Sequence, residues 1–150
     1  MIPQAAIDLC REFEGLHRLR RDGMVVPYLC PAGVLTIGYG ATGPDIVAGL
    51  VWTRDQCERR LVGDLAYFTR ETLRACPVLA SEPPERLGAI VSFAYNLGVG
   101  RLRASTLRRR VNERDWPAAA EQLARWTRAG GRVLPGLVRR RAAEARYLLP

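Results

Sequence analysis

A carboxyl group, a thiol and a hydroxyl stand early in the chain, at Glu14, Cys30 and Thr36. Glu14 closes a short amphipathic segment over residues 3–14, in which Ala6, Cys10 and Phe13 recur at helical spacing, Pro3 opens the helix and Gly15 stops it. At that end the helix dipole is negative, which disfavours a carboxylate and favours the protonated carboxyl a general acid needs. Glu12 points to another side of the same helix. A solvated glutamate at a frayed helix end would have the same residue type, so Glu14 needs partners before it means anything.

The stretch "PYLCPAGVLTIGYG", residues 27–40, offers them. If Pro31-Ala32-Gly33 is a three-residue loop, Cys30 opposes Val34 and Tyr28 opposes Thr36. Cys30 and Thr36 then lie diagonally on one face of a hairpin, while Leu35 and Ile37 point to the other. A two-residue loop would flip one strand and separate the pair. Taken singly, Cys30 reads equally as a small buried hydrophobe and Thr36 as a β-branched strand former. Asp22, in "RRDGM", is the other carboxylate in reach of this region, and its setting reads as an exposed turn.

The elements that must position these groups change character along the chain. Residues 25–53 are rich in β-branched residues and glycine and read as a small antiparallel sheet. Thr53 and Gln56 then form a capping box, and Cys57, Leu61, Leu65, Phe68 and Leu73 line one face of a long helix ending before Pro77. Beyond the proline-rich "SEPPER" linker come "LGAIVSFAYNLG", ending at Gly98, then "STLRRRVN". Asp115 caps "WPAAAEQLARWTRAGG", and "LPGLVRRRAAEARYLL" is the last helical segment. Trp116 and Trp126 are expected in the core. The class is α+β: a β-containing lobe over about 15–52, a connecting helix over about 53–75, and a helical lobe over about 77–150 that takes in the 3–14 helix. Two lobes of one 1–150 domain would leave a cleft between them, where sites belong.

Composition removes several functions. The chain of 150 residues can bury a sizeable core without staples. Its four cysteines lack CxxC spacing and it has a single histidine, His17, too few soft ligands for a zinc site, and no metal is expected. No uncharged apolar window approaches the length of a membrane span, and the amino terminus lacks the pattern of a secretion signal. The cysteines are therefore expected to be free thiols in a cytoplasmic protein. A net charge of +8, arginine-rich and crowded toward the carboxyl half, draws the surface to polyanions. No zinc finger, GxxG clamp or base-stacking strand supports a specific nucleic-acid partner.

Taken in order, "FEGLHR", "PYLCPAGVLTIGYG", "VSFAYNLGVGRLRASTLRRRVNERDW" and "AAEQLARWTRAGGRVLPGLVRRRAAEA" resemble the phage-type lysozymes, the endolysins of glycoside hydrolase family 24. The resemblance covers nearly the whole chain and implies a lysozyme-like α+β fold. It also implies hydrolysis of the β-1,4 bond between N-acetylmuramic acid and N-acetylglucosamine in peptidoglycan glycan strands, causing cell lysis. Carried over by motif, Glu14 is the general acid, and Cys30 and Thr36 position the attacking water. An ordinary thiol is a weak base at neutral pH, so Cys30 is either perturbed or acts by position. Substrate contacts are implied for Gly40, Thr42, Tyr95, Asn96, Ser105 and Thr106. No cofactor is implied.

Two departures stand out. Residues 15–29 lie between Glu14 and Cys30, a longer stretch than the family pattern has, and are expected to form an inserted loop over about 17–25, either near the substrate or inert. Ala41 and Thr42 follow "GYG", where relatives often carry histidine, so a helix-end or interlobe contact is expected to be missing. The cluster Arg139–Arg141 with Arg146 suits phosphate-rich envelope polymers, or else a solvated helix face. A monomer held in the host cytoplasm, reaching the wall through a holin-type pore, is the expected setting. A catalytically inactive peptidoglycan-binding or protein-interaction module, and a cationic envelope disruptor, are the competing classes.

Overall fold

The computed structural model describes residues 1–150. In chain order it contains α1 (Gln4–Glu14), β1 (Tyr28–Leu29), β2 (Leu35–Thr36), α2 (Arg54–Ala75), a 3₁₀ turn (Pro77–Ser81), α3 (Pro84–Leu97), α4 (Val99–Ala104), α5 (Thr106–Asn112), α6 (Trp116–Leu123), β3 (Arg128–Ala129), β4 (Arg132–Val133) and α7 (Pro135–Leu148). The architecture is α+β, mostly helical with two small antiparallel strand pairs. No helix is long and apolar enough to cross a membrane. Contacts divide the chain into two compact units, Cys10–Asp64 and Met1–Leu9 with Leu65–Pro150.

The Cys10–Asp64 unit is built on short pairings. β1 and β2 run antiparallel with Tyr28 opposite Thr36 and Leu29 opposite Leu35, the register a three-residue loop dictates. Gly33 takes φ +76° in that loop, and its N–H donates to the Cys30 carbonyl at 2.8 Å. Residues 17–25, expected as a loop, are pinned rather than free: Leu19 pairs with Val25, and Val25 pairs in turn with Trp52. Ile37 and Ala41 exchange backbone hydrogen bonds of 3.0 and 2.9 Å, closing the Gly38-Tyr39-Gly40 turn. Val25, Ile37, Cys57 and Leu61 are buried at its centre. The capping box forms as the sequence implied: Gln56 N–H donates to Thr53 Oγ1 at 3.1 Å, and Thr53 N–H to Gln56 Oε1 at 2.8 Å.

The other unit is helical. α3 is buried from Leu87 to Ala94 because its face has no charged residue after Arg86, and Gly88 lets it approach the start of α1, since a Cβ there would stand 2.7 Å from Ala5 Cβ. Asp115 caps α6 through the Ala118 N–H at 3.1 Å. α6 stops at Leu123, so "WPAAAEQLARWTRAGG" is not one helix; Gly130 and Gly131, at φ +58° and +76°, turn β3 into β4. Trp126 meets Phe93 edge to face at 5.5 Å, and Arg86 lies 4.1 Å above the Trp116 ring, so both indoles are half-buried.

Of the arginine cluster in α7, Arg139 and Arg146 are solvated, but Arg140 and Arg141 are not. Arg140 and Arg141 are 2% and 1% exposed and enclose Glu144, which is fully buried. Glu144 accepts from Ser92 Oγ at 2.7 Å and pairs with Arg141 Nε at 2.9 Å and Arg140 Nε at 3.4 Å. Burial pushes the Glu144 carboxyl up, opposed first by Arg141 and then by Arg140. Such a cluster is costly to desolvate and more costly to break.

Candidate active site

Glu14, Cys30, Thr36, Gly40 and Thr42 all lie in the Cys10–Asp64 unit. Glu14 is the last residue of α1, half-buried, followed by Gly15 at φ +63°. Gly40, at φ +82°, lies directly against it: a Cβ at residue 40 would stand 2.9 Å from Glu14 Oε2 and 3.4 Å from its Cδ. The left-handed backbone favours glycine here, and a side chain would displace the carboxylate beside it.

The hairpin places Tyr28, Cys30, Val34 and Thr36 on one face, as its register demands. Thr36 is 4% exposed and its hydroxyl donates to the Val34 carbonyl at 2.9 Å. Cys30 is half-buried and carries a thiol drawn below the ordinary range, chiefly by the Val34 N–H, with the Ala32 N–H and the Thr36 hydroxyl adding to it against partial burial. The Thr36 proton thus serves either the carbonyl or the sulfur. Burial pushes the Tyr28 phenol up, and the charges of Glu14 and Cys30 push it further, so this ring stands within electrostatic reach of both groups. His17 packs against Tyr28 edge-on at 5.2 Å. Asp22 is spent in its turn, accepting from Arg20 and from the Met24 N–H.

Two residues the sequence reading passed over fasten this unit. Arg60 donates to Asp64 and Asp45 and, at 2.9 Å, to the Thr42 carbonyl, so the loop after "GYG" is tied to α2 by an arginine. Glu58 joins Arg11 of α1 to Tyr39. On a helical wheel both look like solvated charges; only the folded loops supply their partners.

The remaining residues belong to the other unit. Tyr95 is half-buried, its ring 5.3 Å from Phe68. Asn96 Oδ1 accepts from Arg141 at 2.9 Å. Ser105 is the N-cap of α5, accepting from Arg108 N–H at 3.1 Å and donating to the Leu102 carbonyl at 2.7 Å. Thr106, next to it, is exposed. No group of three or more His, Cys, Asp or Glu side chains is arranged to hold a metal ion.

The small α+β fold is that of a muramidase, a glycoside hydrolase. The family model of phage lysozymes matches residues 11–144, and the chain belongs to that family. It is 43% identical over 119 residues to a SAR-endolysin of Bacteriophage PS119, a match covering 79% of this chain and 70% of that protein. Among solved structures it is similar to the muramidase domain of SpmX from Asticaccaulis excentricus, with a TM-score of 0.82 and 29% identity over 100% of this chain and 98% of that one. It is also similar to the endolysin of Escherichia coli O157:H7 phage FAHEc1, with a TM-score of 0.81 and 28% identity over 99% and 93% of the two chains.

Proposed function

We propose that this phage lysozyme is an endolysin that hydrolyses the β-1,4 bond between N-acetylmuramic acid and N-acetylglucosamine in peptidoglycan, with Glu14 as the general acid. The observation that carries the reading is the seat of Glu14 against Gly40, in the unit that also holds the Cys30–Thr36 face. Glu14 gives its proton to the glycosidic oxygen as the bond to the anomeric carbon breaks through an oxocarbenium-like state. Water adds to that carbon, its orientation set by the Thr36 hydroxyl and the Cys30 sulfur, and the proton it sheds passes through solvent back to the Glu14 carboxylate, restoring the acid. The lowered thiol suits Cys30 to accept a hydrogen bond from that water. Gly40, which lies against Glu14, and Thr42, with Tyr95, Asn96, Ser105 and Thr106, are the proposed contacts to the glycan. Within that set, the Ser105 hydroxyl is already engaged in capping α5.

Release of reducing ends from purified peptidoglycan tests the reading. Glu14→Gln lowers turnover by about 10²–10⁴-fold, the usual contribution of a positioned general acid. Cys30→Asp retains activity if position and polarity are what that site requires. Glu14→Gln with wild-type release, in a folded protein, refutes the assignment of the acid. We further propose that the enzyme reaches the wall through a holin-type pore from the host cytoplasm; lysis of cells expressing it with and without a holin decides that point.

A further inference from the structure

We infer that Glu58, on α2, is a positioning residue that sets the place of the Glu14 carboxyl; this rests on the reading of Glu14 as the acid. Its two carboxylate oxygens hold two different segments. Oε2 accepts from Arg11 Nε at 3.0 Å and from Arg11 NH2 at 2.6 Å. Oε1 accepts from the Tyr39 hydroxyl at 2.7 Å.

Each segment bears one side of the Glu14–Gly40 contact. Arg11 lies in the last turn of α1, three residues before Glu14, and its own carbonyl accepts the Gly15 N–H at 3.1 Å where the helix ends. Tyr39 immediately precedes Gly40, inside the turn closed by the Ile37–Ala41 pair. One carboxylate therefore fixes the helix end that carries the acid and the turn on which the acid rests. Cys57, the residue before Glu58, supports the same turn from behind, since a Cβ on Gly38 would stand 3.1 Å from its Sγ.

The charges are suited to a permanent brace. Burial, the largest single influence on Glu58, favours its neutral form, but Arg11 and Tyr39 together outweigh it and draw the carboxyl below its ordinary value. The Tyr39 phenol is pushed up, by burial first and by Glu58 next, and so remains a donor. Glu58 and Arg11 side chains are 32% and 44% exposed, and an ion pair at such exposure adds little to global stability. Its geometric effect is large by comparison, because misplacing a reacting group by about 1 Å costs on the order of 10²-fold.

The test uses a soluble glycan oligomer and measures kcat, KM and the pH profile of kcat in Glu58→Ala, Tyr39→Phe and the double variant, with Glu14→Gln alongside. Glu58→Ala should lower kcat by about 10- to 100-fold while KM stays within about twofold and the protein stays folded. The pH limb set by the general acid should move. Tyr39→Phe should lower kcat less, and the double variant should be no slower than Glu58→Ala, since both changes cut one brace. Glu58→Gln, which retains an acceptor for Tyr39, should recover part of the loss. The inference is overturned if Glu58→Ala keeps kcat within about twofold, or if its loss merely follows the folded fraction with the pH limb unmoved. Should Glu14→Gln abolish release while Glu58→Ala does not, this inference alone fails; should Glu14→Gln remain active, both readings fail.

Discussion

Gly40→Ala separates the cost of strain from the cost of misplacing the acid. At φ +82° a non-glycine residue pays about 1–2 kcal/mol, and the new Cβ would stand 2.9 Å from Glu14 Oε2. Ordinary packing distance is about 3.5 Å, so the carboxylate must withdraw by roughly 0.5 Å. That withdrawal is thermodynamically cheap, because the atom struck is the end of a flexible side chain. Catalytically it is not: with about 10²-fold lost per ångström of misplacement, half that shift corresponds to about tenfold in kcat. Gly49→Ala is the control, with a φ of +84° and no heavy atom within 4 Å of the added carbon. Both variants should lose a similar few degrees in melting temperature, at about 2–4 °C per kcal/mol for a chain of this size. Only Gly40→Ala should lose tenfold in reducing-end release. Equal activity in the two variants, with equal melting shifts, would refute the claim that the seat on Gly40 positions Glu14 for catalysis.

Alkylation of the native protein should mark Cys30 and spare Cys10, Cys57 and Cys76, which are buried. The rate at Cys30 should rise with pH around a midpoint below that of an ordinary thiol, whereas burial pushes Cys76 up to about 11; peptide mapping by mass spectrometry reads both. Glu144→Ala should cost about 3–5 kcal/mol by removing the buried carboxylate that pairs with Arg140 and Arg141, whereas Glu113→Ala, which breaks an exposed pair with Arg110, should cost at most about 1 kcal/mol; thermal melts compare them. The Glu58 carboxyl lies lower in the folded protein than its ordinary 4.5, so its stabilisation is complete above that value and lost as pH falls through the folded one. Stability measured in urea from pH 6 downward should therefore fall less steeply in Glu58→Gln than in wild type.

What could be read beforehand was whatever depends on local parity and capping. The Cys30–Thr36 face followed from a three-residue loop, and the reciprocal Thr53–Gln56 bonds followed from a four-residue pattern. The β3–β4 hairpin is not legible because alanines and leucines carry a helical signal up to Leu123, and paired glycines beyond it can end a helix as well as turn a hairpin. The anchoring of the inserted loop over residues 17–25 is not legible because Val25 finds its partner at Trp52, well beyond local reach. The same holds for the site. Glu14 and Gly40, or Glu58 with Arg11 and Tyr39, meet only after the chain has folded, and no spacing rule announces such meetings. Arg140 and Arg141 misled for the opposite reason: a run of arginines suggests solvent until a buried Glu144 is found three and four positions on.

The Glu144 cluster also limits how this enzyme can be recombined. Its cations and carboxylate come from α7, whereas Ser92 and Asn96, which complete the hydrogen bonding, come from α3. A crossover anywhere between residues 97 and 135 would combine one parent's α7 with another's α3. Unless the donor carries the same polar set, such a hybrid encloses the α7 charges without the hydrogen bonds that Ser92 and Asn96 supply. The two helices are thus a single heritable unit despite the four elements of helix and hairpin threaded between them, and shuffled libraries should retain function mainly where both come from one parent.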